Sequence, residues 1–243
     1  MGELTPQNPT GIQEMFGSIS KQYDLTNSIL SLGIHHYWKK KLIRASQIRP
    51  GQAVLDCATG TGDLAFLFEK AMKNQGKVVG TDFCAPMLQI ARQKAQLRKS
   101  KAIFQEGDVM DLAFNEGEFD VASISFGIRN VKKPQQALFE LGRVVKPGGR
   151  VLVLEFGQPK SKWMSVLFNA YSNWVLPRIG GWLSGQPQAY RYLQTSSAAF
   201  PCGEDFLSLA KRTGFFSQMK CYPLQSGIAY LYVLTRQENP GFH

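Results

Sequence analysis

Apolar residues in this chain change their spacing at Pro50-Gly51. Before that pair the pattern is helical and irregular. After it, short apolar runs of strand length alternate with stretches where apolar residues recur every three or four positions. That alternation predicts a parallel sheet with helical crossovers. Strands are predicted through Val54-Leu55-Asp56, over residues 77–82, 102–105 and 119–126, and from Arg150 to Phe156. Leu64, Ala65, Leu67, Phe68, Ala71 and Met72 share one helical face; Pro86 and Pro134 open further helices. Lys146-Pro147-Gly148-Gly149 is read as the turn into the fifth strand. Residues 158–201 do not alternate and hold Trp163, Trp174 and Trp182. A helix over 205–212 ends at Gly214. Two last strands, near 218–224 and 228–235, flank Gln225-Ser226-Gly227 and are expected to be antiparallel neighbours.

Length and charge narrow the reading. The 243 residues are expected to form a single domain, 1–243, with a helical N-terminal cap over 1–50 and an insertion over 158–201. Residues 1–10, polar and proline-containing, are expected to be a frayed tail. The formal net charge of +10 points to an acidic partner, either nucleic acid or an anionic membrane surface. The basic residues are scattered, however, and the clusters at Lys39-Lys40-Lys41-Arg44 and over 92–101 read as solvated helix faces. No concentrated basic stripe supports nucleic-acid binding. No apolar run reaches the length of a membrane span, because Asn169, Asn173, Pro177 and Arg178 interrupt the richest one. No secretory leader is recognisable at the N-terminus. Cys57, Cys84, Cys202 and Cys221 lack metal-ligand spacing, so a reducing compartment, a cytoplasmic location and no metal are expected.

The candidate chemistry begins at Val54-Leu55-Asp56-Cys57-Ala58-Thr59-Gly60-Thr61-Gly62. This is a buried strand, an acid and a glycine turn that opens a helix. Gly60, Gly62 and Ala65 loosely fit a dinucleotide fingerprint. Asp56 argues against that fit, because a carboxylate there would repel a pyrophosphate. A ligand with an ammonium and a sulfonium, S-adenosylmethionine (SAM), suits it better. The spacing resembles the first motif of class I SAM-dependent methyltransferases, with Ala58 where those proteins more often have glycine. The expected contacts in this unit are Asp56, Gly60 and Gly62. Ligands of open α/β sheets lie at the carboxyl ends of the strands, which nominates Asp82 for a ribose diol, Asp108 with Val109 for adenine, and Ser125 beneath the methionine part. Asp82 could equally cap the following helix, Asp108 close a loop, and Ser125 bond to backbone.

Further blocks make the resemblance specific. Residues 23–38 (YDLTNSILSLGIHHYW), 125–131 (SFGIRNV), and Arg143 to Phe156 resemble the ubiquinone/menaquinone biosynthesis C-methyltransferase family, as do Tyr190 to Leu193, Phe200-Pro201 and Gly214-Phe215. Thr26 departs from that family's usual methionine. The resemblance covers about residues 15 to 235. It implies an α/β, Rossmann-like class I methyltransferase fold with a seven-stranded, mostly parallel sheet, a C-terminal antiparallel hairpin and a helical N-terminal lid. It implies SAM as methyl donor, with contacts at Thr61, Asp82, Asp108, Val109 and Ser125. The implied substrate is a prenylated quinol, either demethylmenaquinol or 2-methoxy-6-polyprenyl-1,4-benzoquinol. Arg129 and Asn130, just past the fourth strand, are then expected to stabilise the phenolate or order the proton-accepting water. Tyr23 is expected to act from the lid, with His35 a lesser candidate base. The apolar stretch from Trp163 to Leu183 is a candidate path for the prenyl tail. Weak peripheral contact with an anionic membrane at the inner face is expected, and a homodimer or a quinone-biosynthesis complex stays open. The alternatives are a class I methyltransferase acting on RNA or another small molecule, or a non-catalytic SAM-fold partner protein.

Overall fold

The structure is a computed structural model that describes residues 4–20, 23–31, 33–159, 163 and 187–238. Three helices lead the chain: α1 (Pro9–Ile19), α2 (Tyr23–Leu30) and α3 (Ile34–Ser46). Then follow β1 (Ala53–Cys57), α4 (Asp63–Ala71), β2 (Lys77–Asp82), α5 (Ala85–Arg98), β3 (Ile103–Glu106) and β4 (Phe119–Ser125). The remainder is α6 (Pro134–Val144), β5 (Val145–Phe156), α7 (Pro187–Ala199), α8 (Glu204–Lys211), β6 (Phe216–Leu224) and β7 (Ala229–Arg236). The seven strands lie in the order β3-β2-β1-β4-β5-β7-β6. The first five run parallel, and β7 sits antiparallel between β5 and β6. This is the predicted α/β sheet with its terminal antiparallel hairpin.

Side-chain alternation divides the core into two layers. Leu55, Ala122, Ile124, Val151, Val153, Tyr230 and Tyr232 point to the face covered by α6 and α8. Val54, Val121, Leu152, Leu154 and Leu231 point to the face covered by α3, α4 and α5. Both faces are buried, so the central strands read as continuous apolar runs. A third cluster joins α1 to α7 through Ile12, Met15, Ile19, Ala189 and Tyr192.

Two local expectations change. The stretch Lys146-Pro147-Gly148-Gly149 lies inside β5. Phe119 pairs with Val145 and Val121 with Arg150, so these residues bulge from the ladder without ending it. Gly148 supplies a φ of 74° there. The N-terminus is not frayed as far as Thr10. The Asn8 side chain accepts from the Gly11 N–H at 3.1 Å and Pro9 takes the first helical position, which together start α1. Of the insertion expected over 158–201, residues 160–162 and 164–186, with Trp174, Trp182 and most of the tail path, lie outside the described residues. Trp163 is exposed.

The N-terminal helices are seated on the sheet by α3. Trp38 is buried against Phe126 and Phe156, whose rings stand 6.1 and 6.2 Å from it, and its indole N–H donates to Gln225 beyond β6. Trp38→Ala should therefore destabilise the protein by about 3–5 kcal/mol, the usual cost of emptying a large aromatic site, and Trp38→Phe by clearly less. Urea unfolding checks this, and an unchanged midpoint for Trp38→Ala would show that α3 is held by other contacts.

Candidate active site

The strand order reverses at β1, with β2 on one side and β4 on the other, and the loop after β1 opens into that crevice. Asp56, at the end of β1, is almost wholly buried. It accepts hydrogen bonds from the hydroxyls of Thr59 and Ser123, each at 2.7 Å. The first bond folds the loop back on itself and the second ties it to β4. Ala58 then adopts a left-handed φ of 49°, and Gly60 and Gly62 follow at 56° and 87°. A Cβ on Gly62 would come within 2.8 Å of the Phe104 ring, so only glycine fits there. Ala58 in turn presses on Gly127, where an added Cβ would lie 2.5 Å from its own.

Asp82, at the end of β2, holds the loop from the other side. Its Oδ2 accepts from the Gly60 N–H at 2.8 Å and its Oδ1 from the Cys84 N–H at 2.9 Å. Burial raises this carboxyl above its ordinary range, while the N–H groups of Cys84, Gly60 and Phe83 pull it down. Each oxygen keeps acceptor capacity for a further donor.

A cavity of about 250 Å³ opens beside this loop. Of the residues expected from sequence, Tyr23, Gly60, Asp82, Asp108, Val109, Ser125 and Asn130 line it. Ser125 Oγ is buried and has no hydrogen-bond partner among the described residues. Asp108 stands at the exposed rim, its Oδ1 accepting from the Met110 N–H at 2.8 Å. The sequence reading missed the apolar walls: Phe16, Phe83, Met87, Met110 and Phe126, with Pro9 at the start of α1. Phe83 and Met87 flank the nominated Asp82 and were findable by proximity. Phe16 and Pro9 carry no comparable signal.

Four expected residues stand off the cavity lining. Asp56 gives an oxygen to each of the Thr59 and Ser123 hydroxyls and stands behind the loop, off the lining where its contact with the ligand was expected. Thr61 turns its hydroxyl outward, donating to Asp24 Oδ1 at 2.6 Å. Gly62 faces the Phe104 and Phe66 rings. Arg129 is buried in an ion pair with Glu155, Nη1 to Oε1 at 2.7 Å, and also donates to the Phe126 carbonyl at 2.6 Å. Its backbone N–H donates to Glu155 Oε2 at 3.3 Å. The guanidinium, expected to reach the substrate, here braces the short turn Ile128–Asn130 from behind, and Asn130 is what that turn presents to the cavity. Asn130 Oδ1 accepts from the Tyr192 hydroxyl of α7 at 2.9 Å. His35 is buried, and burial first, then Lys39 and His36, pushes its pKa down to about 4. Among the described residues no cluster of His, Cys, Asp or Glu could hold a metal ion.

Burial pushes the Asp56 carboxyl from its ordinary 3.8 up to about 6, against the pull of the Thr59 and Ser123 hydroxyls. The folded protein thus holds a proton that the unfolded chain releases between those values. This residue's contribution to stability is full below about pH 4 and is lost as pH rises through about 6. The shift corresponds to about 3 kcal/mol. Across that window Asp56→Asn should gain on the wild type by about this amount in urea unfolding. A pH-independent difference between the two would show the carboxyl titrating normally.

Comparison with known proteins bears on the reaction. The model of the ubiE/COQ5 methyltransferase family matches residues 4–235. The chain is 52% identical over 225 residues to the ubiquinone/menaquinone biosynthesis C-methyltransferase UbiE of Bdellovibrio bacteriovorus, covering 93% of this chain and 95% of that one. It is 41% identical to the demethylmenaquinone methyltransferase of Deinococcus radiodurans, covering 91% of each. Among solved structures, a SAM-dependent methyltransferase from Thermotoga maritima superposes with a TM-score of 0.61 at 17% identity, covering 92% of this chain and 99% of that one, a likeness of fold. The chain belongs to the ubiE/COQ5 methyltransferase family and is a SAM-dependent methyltransferase.

Proposed function

We propose that the protein transfers a methyl group from SAM to a ring carbon of a prenylated quinol, demethylmenaquinol or 2-methoxy-6-polyprenyl-1,4-benzoquinol. The observation that carries this reading is the pairing of two kinds of group in one cavity. Asp82, Gly60 and the unpartnered Ser125 hydroxyl lie on the strand-end side; Asn130 and Tyr23 lie beside apolar walls from Phe16, Phe126 and Met110. The similar proteins, a ubiquinone/menaquinone biosynthesis C-methyltransferase and a demethylmenaquinone methyltransferase, support the same substrate class.

The residues present fit SAM. Asp82 would accept from the ribose hydroxyls, Asp108 and Val109 would meet the adenine, and Ser125 would satisfy its orphaned hydroxyl against the amino-acid part. SAM supplies an activated methyl on a sulfonium, so the protein's task is mostly positioning. A quinol ring carbon is nucleophilic only once a ring hydroxyl has lost its proton. The site must therefore hold the reduced ring and its phenolate charge. Asn130 can donate to that oxygen, and Tyr23 can act from the N-terminal wall. Arg129 serves through Asn130: its buried pair with Glu155 fixes the turn that presents the amide.

Purified protein with labelled SAM and short-chain demethylmenaquinol or the benzoquinol, kept reduced, tests the reaction. Methylated quinol is expected with at least one ring, and none with the quinones. Failure with both reduced rings would overturn the proposal. Asn130→Ala should lower turnover about 10²-fold, as for loss of one preorganised donor, with SAM affinity little changed. Arg129→Ala should lower the melting temperature together with activity, because Glu155 would be left as a buried, uncompensated charge, a loss of about 3–5 kcal/mol. A stable Arg129→Ala variant would count against the bracing role.

Peripheral contact with an anionic membrane completes the proposal, since the substrate carries a lipid tail. No helix among the described residues is long and apolar enough to cross a membrane. The outer face of α3 instead exposes Ile34, Tyr37, Lys40 and Arg44, with the Lys41 ammonium 5.0 Å from the centre of the Tyr37 ring. Aromatic and basic residues on one helix face suit a headgroup layer. Lys40→Glu with Arg44→Glu should weaken co-sedimentation with anionic vesicles at low salt and leave neutral vesicles unaffected. Undiminished binding would remove α3 from the contact.

A further inference from the structure

The wall of the cavity contributed by α1 and α2 is held differently from the rest. β1, β2 and β4 end in the apolar core, and α3 is seated by Trp38 and Leu42. Helix α2 buries none of its described side chains: Tyr23, Asp24 and Ser28 are half-buried and Leu25 is exposed. Yet Tyr23, its first residue, lines the cavity and stacks edge-on against Phe16, another wall residue, at 6.1 Å.

Beside the packing of Tyr23 on the α1 cluster and the Ser28–His36 contact, α2 is tied down by the carboxylate next to Tyr23. Asp24 Oδ1 accepts from the Thr61 hydroxyl at 2.6 Å, and Asp24 Oδ2 pairs with the Lys94 ammonium of α5. Lys94 also donates to Thr61 Oγ1 at 2.9 Å and to Asp63 Oδ1 at 3.2 Å. Asp63 opens α4 directly after the glycine turn and has Lys39 of α3 at 3.6 Å on its other oxygen. Burial works against ionisation of Asp63, but Lys39 and Lys94 hold its carboxyl below the ordinary range. Two acids and two ammonium groups thus close around one threonine in the cofactor turn. Lys94 is the member that touches both acids and the threonine. This use of Thr61 accounts for its absence from the cavity lining.

We propose that Lys94 is a positioning residue for the cofactor: it clasps Asp24 of α2 to Thr61 of the glycine turn and so holds the N-terminal wall shut over bound SAM or its demethylated product. The proposal rests on the reading of this cavity as the SAM site. Opening that wall requires the clasp to part, so the clasp governs how fast cofactor and product exchange. With Lys94 gone, Asp24 loses its cation while Asp63 keeps Lys39, and the wall is no longer drawn to the glycine turn. Lys94 and Asp24 are partly solvated, with side-chain exposures of 21% and 37%, so the pair is open to screening by salt.

Release of S-adenosylhomocysteine, followed by stopped flow, tests the clasp in the full chain. Lys94→Met and Asp24→Asn are each expected to speed release roughly tenfold, the scale of one lost charge-assisted hydrogen bond. The double variant should release no faster than the faster single, because both substitutions break one contact. Lys94→Arg should restore part of the effect. Raising salt from about 0.1 M to about 1 M shortens the screening length from about 10 Å to about 3 Å. It should speed release from the wild type and not from Lys94→Met, a response that a merely structural lysine would not produce. Asp24→Asn, at a partly exposed site, carries the test alone should Lys94→Met fail to fold. Unchanged release rates, additive singles, or the same salt response in Lys94→Met as in the wild type would overturn the clasp. Absence of any binding by the wild type would overturn the cofactor reading and the clasp with it, whereas normal binding with unaltered release in the variants would overturn the clasp alone.

Discussion

A buried carboxylate must find donors or lose its charge, and Asp56 finds them in Thr59 and Ser123. Much of the cavity's shape depends on how those two bonds are arranged. The bond to Thr59 curls the chain immediately after β1, forcing left-handed backbone at Ala58 and Gly60. The curl turns the Gly60 N–H to Asp82. The bond to Ser123 pins the curl to β4, two residues before Ser125 leaves the sheet. The carboxylate thus acts as a keystone behind the site: it contacts no part of the cavity, yet it sets the spacing between the groups that do.

That arrangement explains which parts of the site were legible in the sequence. Asp82, Val109 and Ser125 line the cavity as a geometric rule expects, since strand ends in an open α/β sheet face the ligand. Asp56 obeys the same rule in sequence and departs from it in space. Its two partners lie 3 and 67 residues away, and nothing in the local pattern announces the second. Arg129 was expected at the cavity on a similar footing. A charged residue after a strand end looks available until its partner is known, and Glu155 comes from β5, 26 residues on. The sheet and its terminal hairpin were readable because period and turn chemistry repeat over many residues. The walls from α1 were not, because a short polar, proline-bearing start looks like a tail until Asn8 is seen capping it.

The two sides of the cavity also differ in what holds them. Strand ends are fixed by apolar layers on both faces of the sheet, so groups such as Asp82 and Ser125 are rigid reference points. The turn bearing Asn130 is braced by the Arg129–Glu155 pair and by Tyr192 of α7, so its geometry depends on polar contacts from three separate segments. The Tyr23 wall combines the apolar seat of α1 against α7 with the charge contacts of Asp24 near solvent. A site that must admit a cofactor and then exclude water gains from such a gradient, stiff where charge and ring must be aligned and looser where molecules pass.

The seat of Trp38 has a consequence for biogenesis. The indole N–H of this residue is bonded to Gln225, and α3 packs on β5 and β7, of which β7 is made long after α3. Helix α3 leaves the ribosome well before β6 and β7 and finds its full seat only once they have emerged and paired. During synthesis the glycine turn and Asp82 can form early, while the wall that encloses them waits. A nascent or C-terminally truncated chain would therefore carry an open, leaky version of the cavity. Removing the last two strands would disable a binding site whose own residues, read along the chain, end well before them.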